Sequence, residues 1–286
     1  MIVITGATGN IGRPLTASLV SAGHAVTAIA RGTSADLPGG TGIIPVAADL
    51  TSPAAARSLA GSMVGAEALF LLVPGSGAGV DAAALMETAR TAGVRRVVLL
   101  SSQAVGSRPD AAGYAPMAAI EAAVTRSGLE WTILRAGGLA TNAFAWAPTV
   151  RARQAVLAPY GDVALPAIDP LDIADVAAQA LAGDGHLGQT YVLTGPEATT
   201  PRQRTKIIAR EIRQDLTFIE VSHDDAREQM LQFMPAPVAD ATLAILGHPN
   251  PEEIQVSPDV EMVLGRPGRS FGDWAHRNAT AFRAGR

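Results

Sequence analysis

The sequence predicts an α/β fold, a doubly wound parallel sheet followed by a smaller C-terminal α+β lobe. Three observations predict it. Short β-branched runs alternate with helical stretches through the first half, a glycine-rich loop separates the first run from the first helix, and the rhythm breaks after Gly137. Parallel neighbours need a crossover, and a helix is the usual one, so this alternation specifies a sheet covered on both faces.

The elements follow in order. Ile2-Val3-Ile4-Thr5 is a short β-branched run of the kind buried inside parallel sheets. Beyond the glycine loop, Leu15, Leu19 and Val20 fall at helical spacing, and Ala22-Gly23 ends that helix. Residues 24–30 and 42–47 read as strands, 54–63 as a helix and 68–73 as a fourth strand. A helix over 80–92, a strand over 95–101, a helix over 116–127 and a strand over 131–135 complete the pattern. From 142 to 170 the chain reads as irregular and proline-punctuated, with Phe144, Trp146 and Tyr160 scattered through it. Helices then read over 172–181, with Asp172 as N-cap, 202–213, 224–233 and 238–246, and strands over 190–193 and 216–221. The expected organisation is a nucleotide-binding domain over 1–140 and a smaller substrate lobe over 141–286, intertwined as one compact unit.

Composition narrows the function classes. Of the 286 residues 48% are hydrophobic and 17% charged, which is globular, and a chain this long buries a core without staples. No cysteine is present, which removes disulfides, thiolate metal sites and a cysteine nucleophile together. The five histidines, His24, His186, His223, His248 and His276, have no ligand spacing, so no metal site is expected. A net charge of −4 argues against a nucleic-acid partner, which needs a basic stripe. The opening apolar run is too short for a signal segment, and no run reaches the ~20 residues that span a bilayer. The expectation is a cytoplasmic protein with no membrane contact, and a homodimer is compatible with it.

The loop Thr5-Gly6-Ala7-Thr8-Gly9-Asn10-Ile11-Gly12 carries the first chemistry. Its glycines recur every third residue between a strand and a helix, so the backbone can turn tightly and approach a pyrophosphate. The helix start then offers unpaired N–H groups and a positive dipole end. The spacing is G-x-x-G-x-x-G rather than G-x-G-x-x-G, within the same Rossmann-type context. Arg31 ends the second strand, where NAD-binding folds place an acid for the ribose 2′-hydroxyl, and an arginine there suits a 2′-phosphate. Arg31 has no acid beside it in the sequence, and Thr33 and Ser34 would add donors. The cofactor expected is therefore NADP(H). Asp49-Leu50 after the third strand would flank the adenine, though Asp49 also reads as a turn or cap residue. Val73-Pro74 would pass beneath the ribose, or form an ordinary loop.

The segment Gly6–Gly12 taken with Arg31, Asp49, Ser101-Ser102, Ile120-Glu121, the run from Ser127 to Arg135 and Asp169–Asp175 resembles the NmrA-like atypical short-chain dehydrogenases. Within them it looks most like the quinone and triphenylmethane reductase-type members. The resemblance implies a nicotinamide cofactor with Ser101, Met117 and Gly137 among its lining positions. It does not fix one activity, since the family includes reductases, NADP-sensing regulators and tailoring enzymes of aromatic products, some with oxygenase chemistry.

Typical short-chain dehydrogenases use a Tyr-x-x-x-Lys pair, in which the ammonium lowers the tyrosine pKa. Here Tyr114 is followed four residues later by Ala118, relatives' lysine or histidine position before Glu121 holds Met117, and Lys206 is the sole lysine. Tyr114 is therefore either an unaided proton donor or a loop tyrosine lining a pocket. Asn142 and Gln103 are the other candidate catalytic or pocket groups. Glu121 reads as a salt-bridge or cap partner, and Asp169 with Asp172 as organisers of a helix start. Phe144, Trp146, Tyr160 and Phe233 form either an aromatic lid for a flat ligand or internal packing. The leading expectation is NADPH-dependent hydride transfer to an aromatic or quinone-like small molecule. The alternatives are an oxygenase-type tailoring enzyme of aromatic polyketides and an NADP(H)-sensing regulator.

Overall fold

Buried β-branched runs pair side by side because each has a hydrophobic face on both sides to cover. In the computed structural model, which describes residues 1–31 and 40–283, this gives a seven-stranded sheet. Along the chain come β1 (Ile2–Thr5), α1 (Gly12–Ser21), β2 (Val26–Ala30), β3 (Ile43–Ala47), α2 (Ala55–Met63), β4 (Ala68–Leu71) and α3 (Ala82–Thr91). Then follow β5 (Arg96–Ser102), the short α4 (Ala104–Ser107), α5 (Ala115–Thr125) and β6 (Glu130–Ala136). A 3₁₀ segment (Ala140–Trp146) leads to α6 (Ala147–Arg153), β7 (Ala155–Ala158), β8 (Leu165–Pro166), α7 (Pro170–Ala182) and β9 (Gln189–Leu193). The remainder is β10 (Ala198–Thr199), α8 (Pro201–Ile212), β11 (Thr217–Glu220), α9 (His223–Leu231), α10 (Ala236–Gly247), α11 (Pro251–Ile254), α12 (Asp259–Leu264) and α13 (Phe271–Arg277).

The sheet order is β3-β2-β1-β4-β5-β6-β9. Its first six strands pair in parallel, in unbroken register from Val26↔Ile43 at one edge to Ser102↔Ala136 at β5–β6. The order reverses between β1 and β4, the switch point outside which ligands of such sheets bind. Val3, Ile29, Leu69, Leu71, Val97 and Leu99 of the strands pack with Leu59, Met63, Leu85, Met86 and Ile120 of α2, α3 and α5. Removing such side chains from water, at about 25 cal/mol per Å² of apolar area, is the main force holding these layers.

Two compact units result. The first comprises Met1–Pro109, Tyr114–Ala136 and Ile173–Val192; the second comprises Asp110–Gly113, Gly137–Asp172 and Leu193–Arg286. The segment 173–192 belongs to the first unit, and most of β9, which lies beside β6, goes with it. In the second unit β7 pairs in parallel with β11, and β8 antiparallel with β10. Its core gathers Val150, Val156, Ile208, Ile212, Phe271, Trp274 and Phe282.

Two expectations need correction. The stretch from 142 to 170 is not irregular, since it holds 3₁₀ turns, α6 and two short strands. Pro148 stands in the first turn of α6, where its missing N–H interrupts no helical bond, so it marks a start and not a break. Asp172 is not an N-cap, because the helix already starts at Pro170 and Asp172 is fully buried inside its first turn. Elsewhere helix starts are conventional. Thr200 caps α8 in a reciprocal capping box with Gln203, and Thr200→Ala is expected to cost about 1 kcal/mol, read as a lower urea midpoint. No helix among the described residues is long and apolar enough to cross a membrane.

Candidate nucleotide-binding site

The loop after β1 is built by sterics. Thr5 ends the strand fully buried, its hydroxyl oxygen 2.8 Å from both the N–H and the carbonyl oxygen of Leu72, which ties the end of β1 to the chain leaving β4. Gly6 follows in the left-handed region (φ +66°), and a Cβ there would lie 2.7 Å from a Leu72 methyl. Gly12 begins α1 against the loop's own backbone. A Cβ on Gly12 would stand 2.2 Å from the Gly6 carbonyl oxygen and 2.8 Å from Ala7 Cα. Backbone cannot rotate aside as a side chain can, so this position admits only hydrogen. The Ile11 side chain before α1 cannot cap it, and no acidic residue stands in its first turn. The helix therefore presents its positive end uncompensated, and Gly9 and Asn10 lie exposed beside it while Ile11 is buried. A loop whose Gly12 position admits only glycine, at an uncapped helix start, fits a pyrophosphate. Thr8 is half-buried in the same loop.

Arg31 is exposed at the end of β2. Asp49 follows β3, which pairs with β2 up to Ala30↔Ala47. Its carboxylate accepts from the Thr51 N–H (3.0 Å) and hydroxyl (2.8 Å). These bonds, with a smaller contribution from the Arg31 charge, hold its pKa below the ordinary aspartate value. Arg31 therefore does have an acid within electrostatic reach, 18 positions on and invisible in the local sequence. Thr33 and Ser34 lie outside the described residues. Leu50 and Val73 are buried in the core of the first unit, and Pro74 is half-buried.

At the far ends of β5 and β6 a buried network forms. Ser101 faces Arg135 across the register, and the Ser101 hydroxyl donates to Glu121 of α5 at 2.5 Å. Arg135 donates to the same carboxylate from Nε (3.0 Å) and Nη2 (2.7 Å), and that bond raises the guanidinium pKa. Glu121 is 7% exposed, so it is a salt-bridge partner and not a free acid. Tyr114 immediately precedes α5, half-buried against the core of the first unit, and Met117 is buried on that helix. Gln103 immediately precedes α4, its backbone N–H bonded to Ala136 O.

The remaining candidates lie in the second unit. The Gly137 N–H donates to Leu193 O, and Asn142 is exposed in the 3₁₀ segment. Phe144 and Trp146 pack against the internal aromatic cluster of the second unit. Phe144 packs edge-on to Trp274 (5.0 Å between centroids) and stacks on Phe282 (6.1 Å), with Trp146 against the same cluster. Tyr160, at φ +53°, hydrogen-bonds His223 Nδ1 at 2.6 Å, and Phe233 is 72% exposed. Sequence reasoning leaves Phe144 and Trp146 open between a ligand lid and internal packing, because the ring partners of Phe144, Trp274 and Phe282, lie near the other end of the chain. It also missed the three arginines that hold Asp169 and Asp172: Arg277 pairs with Asp169, and Arg266 and Arg269 pair with Asp172 at 2.9 and 2.5 Å.

A family model described as NAD(P)H-binding matches residues 6–184, from the second residue of the loop through most of the sheet. The chain belongs to this NAD(P)H-binding family. Within it the chain is an oxidoreductase. It is 37% identical over 285 residues, 99% of each chain, to a (4-alkanoyl-5-oxo-2,5-dihydrofuran-3-yl)methyl phosphate reductase of Streptomyces griseus. It is 30% identical over 290 residues, 99% of this chain and 100% of the relative, to an NAD(P)H azoreductase of Xenophilus azovorans. The fold of this family member is shared with the NADPH-dependent quinone oxidoreductase QOR2 of Escherichia coli (TM-score 0.77, 23% identity, 97% and 99% of the two chains). It is equally shared with the Citrobacter triphenylmethane reductase in complex with NADP(H) (TM-score 0.76, 23% identity, 97% and 99% covered).

Proposed function

We propose that this oxidoreductase uses NADPH to reduce a conjugated, electron-poor small molecule of the aromatic or quinone-like kind by hydride transfer. The observation that carries the reading is the composition around α5. Ala118 stands four residues after Tyr114, Met117 is buried on the helix, and the sole lysine, Lys206, belongs to α8. A ketone or alcohol reaction needs a tuned proton donor, whereas a conjugated acceptor spreads the incoming charge and asks chiefly for positioning, a term of roughly 7–11 kcal/mol. NADPH supplies the hydride from C4 of its reduced nicotinamide when bound. The chain's own part is to seat the pyrophosphate at the start of α1, to read the 2′-phosphate with Arg31 and to hold the β5–β6 edge rigid through Ser101, Glu121 and Arg135.

The relatives support the acceptor class. The compound in the Streptomyces griseus relative's name has a ring double bond conjugated with two carbonyls, and an azo group is likewise an electron-poor double bond. The test is anaerobic mixing of the protein and NADPH with naphthoquinones, anthraquinones, an acyl butenolide and an azo dye. Acceptor-dependent loss of the reduced-nicotinamide absorbance is expected with at least one of them, and none with any would overturn the reading. Arg31→Asp is expected to move the preference from NADPH toward NADH by at least about tenfold in kcat/KM, since it replaces a phosphate-binding charge with a ribose-binding one. An unchanged cofactor ratio would show that Arg31 does not read the phosphate.

A further inference from the structure

In the second unit, a cavity of about 720 Å³ opens where α8 ends against α13 and the 3₁₀ turn at Ala279–Phe282. Its floor is rigid, since Ile212 and Ala279 belong to the cluster that holds the fully buried Phe271, Trp274 and Phe282. Its walls are cationic. Arg210, Arg213, Arg283 and His276 line it, with Glu211 as its one acid. Glu211 is already engaged on every side. Arg210 Nε (3.1 Å) and His276 Nδ1 (2.9 Å) share its carboxylate, whose pKa they lower, and Arg283 Nη2 donates to its backbone carbonyl at 3.2 Å. Arg213, in the left-handed cap position after α8 (φ +58°), has no side-chain partner among the described residues.

Cations at a helix C-terminus ordinarily complement the dipole, and Arg210 and Arg213 do so here. That accounts for only part of the charge. The helix end and Glu211 together offset about one and a half positive charges, against three guanidinium groups. The excess surrounds a space within the roughly 300–1,000 Å³ range of small-ligand pockets. Guanidinium forks match phosphate oxygens bidentately, and several converging on one pocket select a multiply charged anion.

We propose that this pocket is a binding site for a phosphate-bearing small molecule, held by Arg213 and Arg283 with Arg210 and His276 at its rim. An occupant would bridge the end of α8 to the C-terminal turn and so stabilise the second unit. The site uses none of the residues of the nucleotide cradle, so it stands or falls apart from the proposed reaction.

The experiment is thermal unfolding of the full chain titrated with inorganic phosphate and pyrophosphate, against sodium chloride at matched ionic strength. Runs with and without saturating NADP⁺ separate this site from the loop after β1. Wild type is expected to show a saturable rise of about 2–4 °C with pyrophosphate that persists in NADP⁺. Arg213→Gln, which removes no other protein contact, is expected to weaken it at least fivefold, and Arg213→Ala/Arg283→Ala to abolish it. The proposal is overturned if no saturable rise occurs, if NADP⁺ eliminates it, or if Arg213→Gln leaves the titration unchanged.

Discussion

Gly12→Ala is expected to weaken NADP(H) binding by about 100-fold or more, the largest functional effect of any single methyl group in the protein. The new Cβ would lie 2.2 Å from the Gly6 carbonyl oxygen and 2.8 Å from Ala7 Cα, both main-chain atoms of the loop itself. Relief requires the start of α1 to move away from the loop, and an overpacking penalty of about 3 kcal/mol falls directly on the anion site. Gly9→Ala is the matched control, because its Cβ would meet the Gly6 oxygen at 3.3 Å, where a shift of a few tenths of an ångström suffices. It is expected to cost less than about tenfold by the same reasoning. Fluorescence titration with NADPH distinguishes the two. Equal affinities for Gly12→Ala and wild type would mean that the cofactor does not use this cradle.

Asp172→Ala is expected to be the most damaging substitution for stability. Its side chain is fully buried, accepts from the Arg269 N–H at 2.6 Å, and pairs with Arg266 and Arg269, both of which keep about a third of their side-chain exposure. Breaking a buried pair costs roughly 3–5 kcal/mol, and the partial exposure of the arginines sets the expectation at the lower end. Asp172→Asn keeps the shape and one acceptor but not the charge, and is expected to recover about a third of the loss. Urea denaturation checks both. A loss below about 1 kcal/mol for the alanine variant would show that the C-terminal arginines do not anchor the start of α7.

The legible parts of the molecule were those written in local pattern. The run Ile2–Thr5, the three glycines and the helical spacing of Leu15 and Leu19 lie within 20 residues, and the structure reproduces them with boundaries shifted by one or two positions. Long-range choices were not legible. The strand at Gln189–Leu193 was visible, but nothing local says that it joins the main sheet beside β6. The influence of Arg31 on Asp49 depends on the pairing of β2 with β3. Phe144 reads as either a lid residue or internal packing, because Trp274 and Phe282, which occupy its ring, come at the other end of the chain. Glu121 and Arg135 were picked out separately, and only the adjacent packing of α5 and β6 turns them into one network with Ser101.

The central claim is that a nucleotide seated after β1 passes hydride directly to a conjugated acceptor. It is tested most directly by anaerobic single-turnover reduction of the best acceptor from the panel with NADPH deuterated at one or the other C4 face, followed through the reduced-nicotinamide absorbance. A normal primary isotope effect on the rate from one of the two C4 faces, and none from the other, is the expected result. NADPH oxidation by the acceptor with no isotope effect from either face would contradict the account.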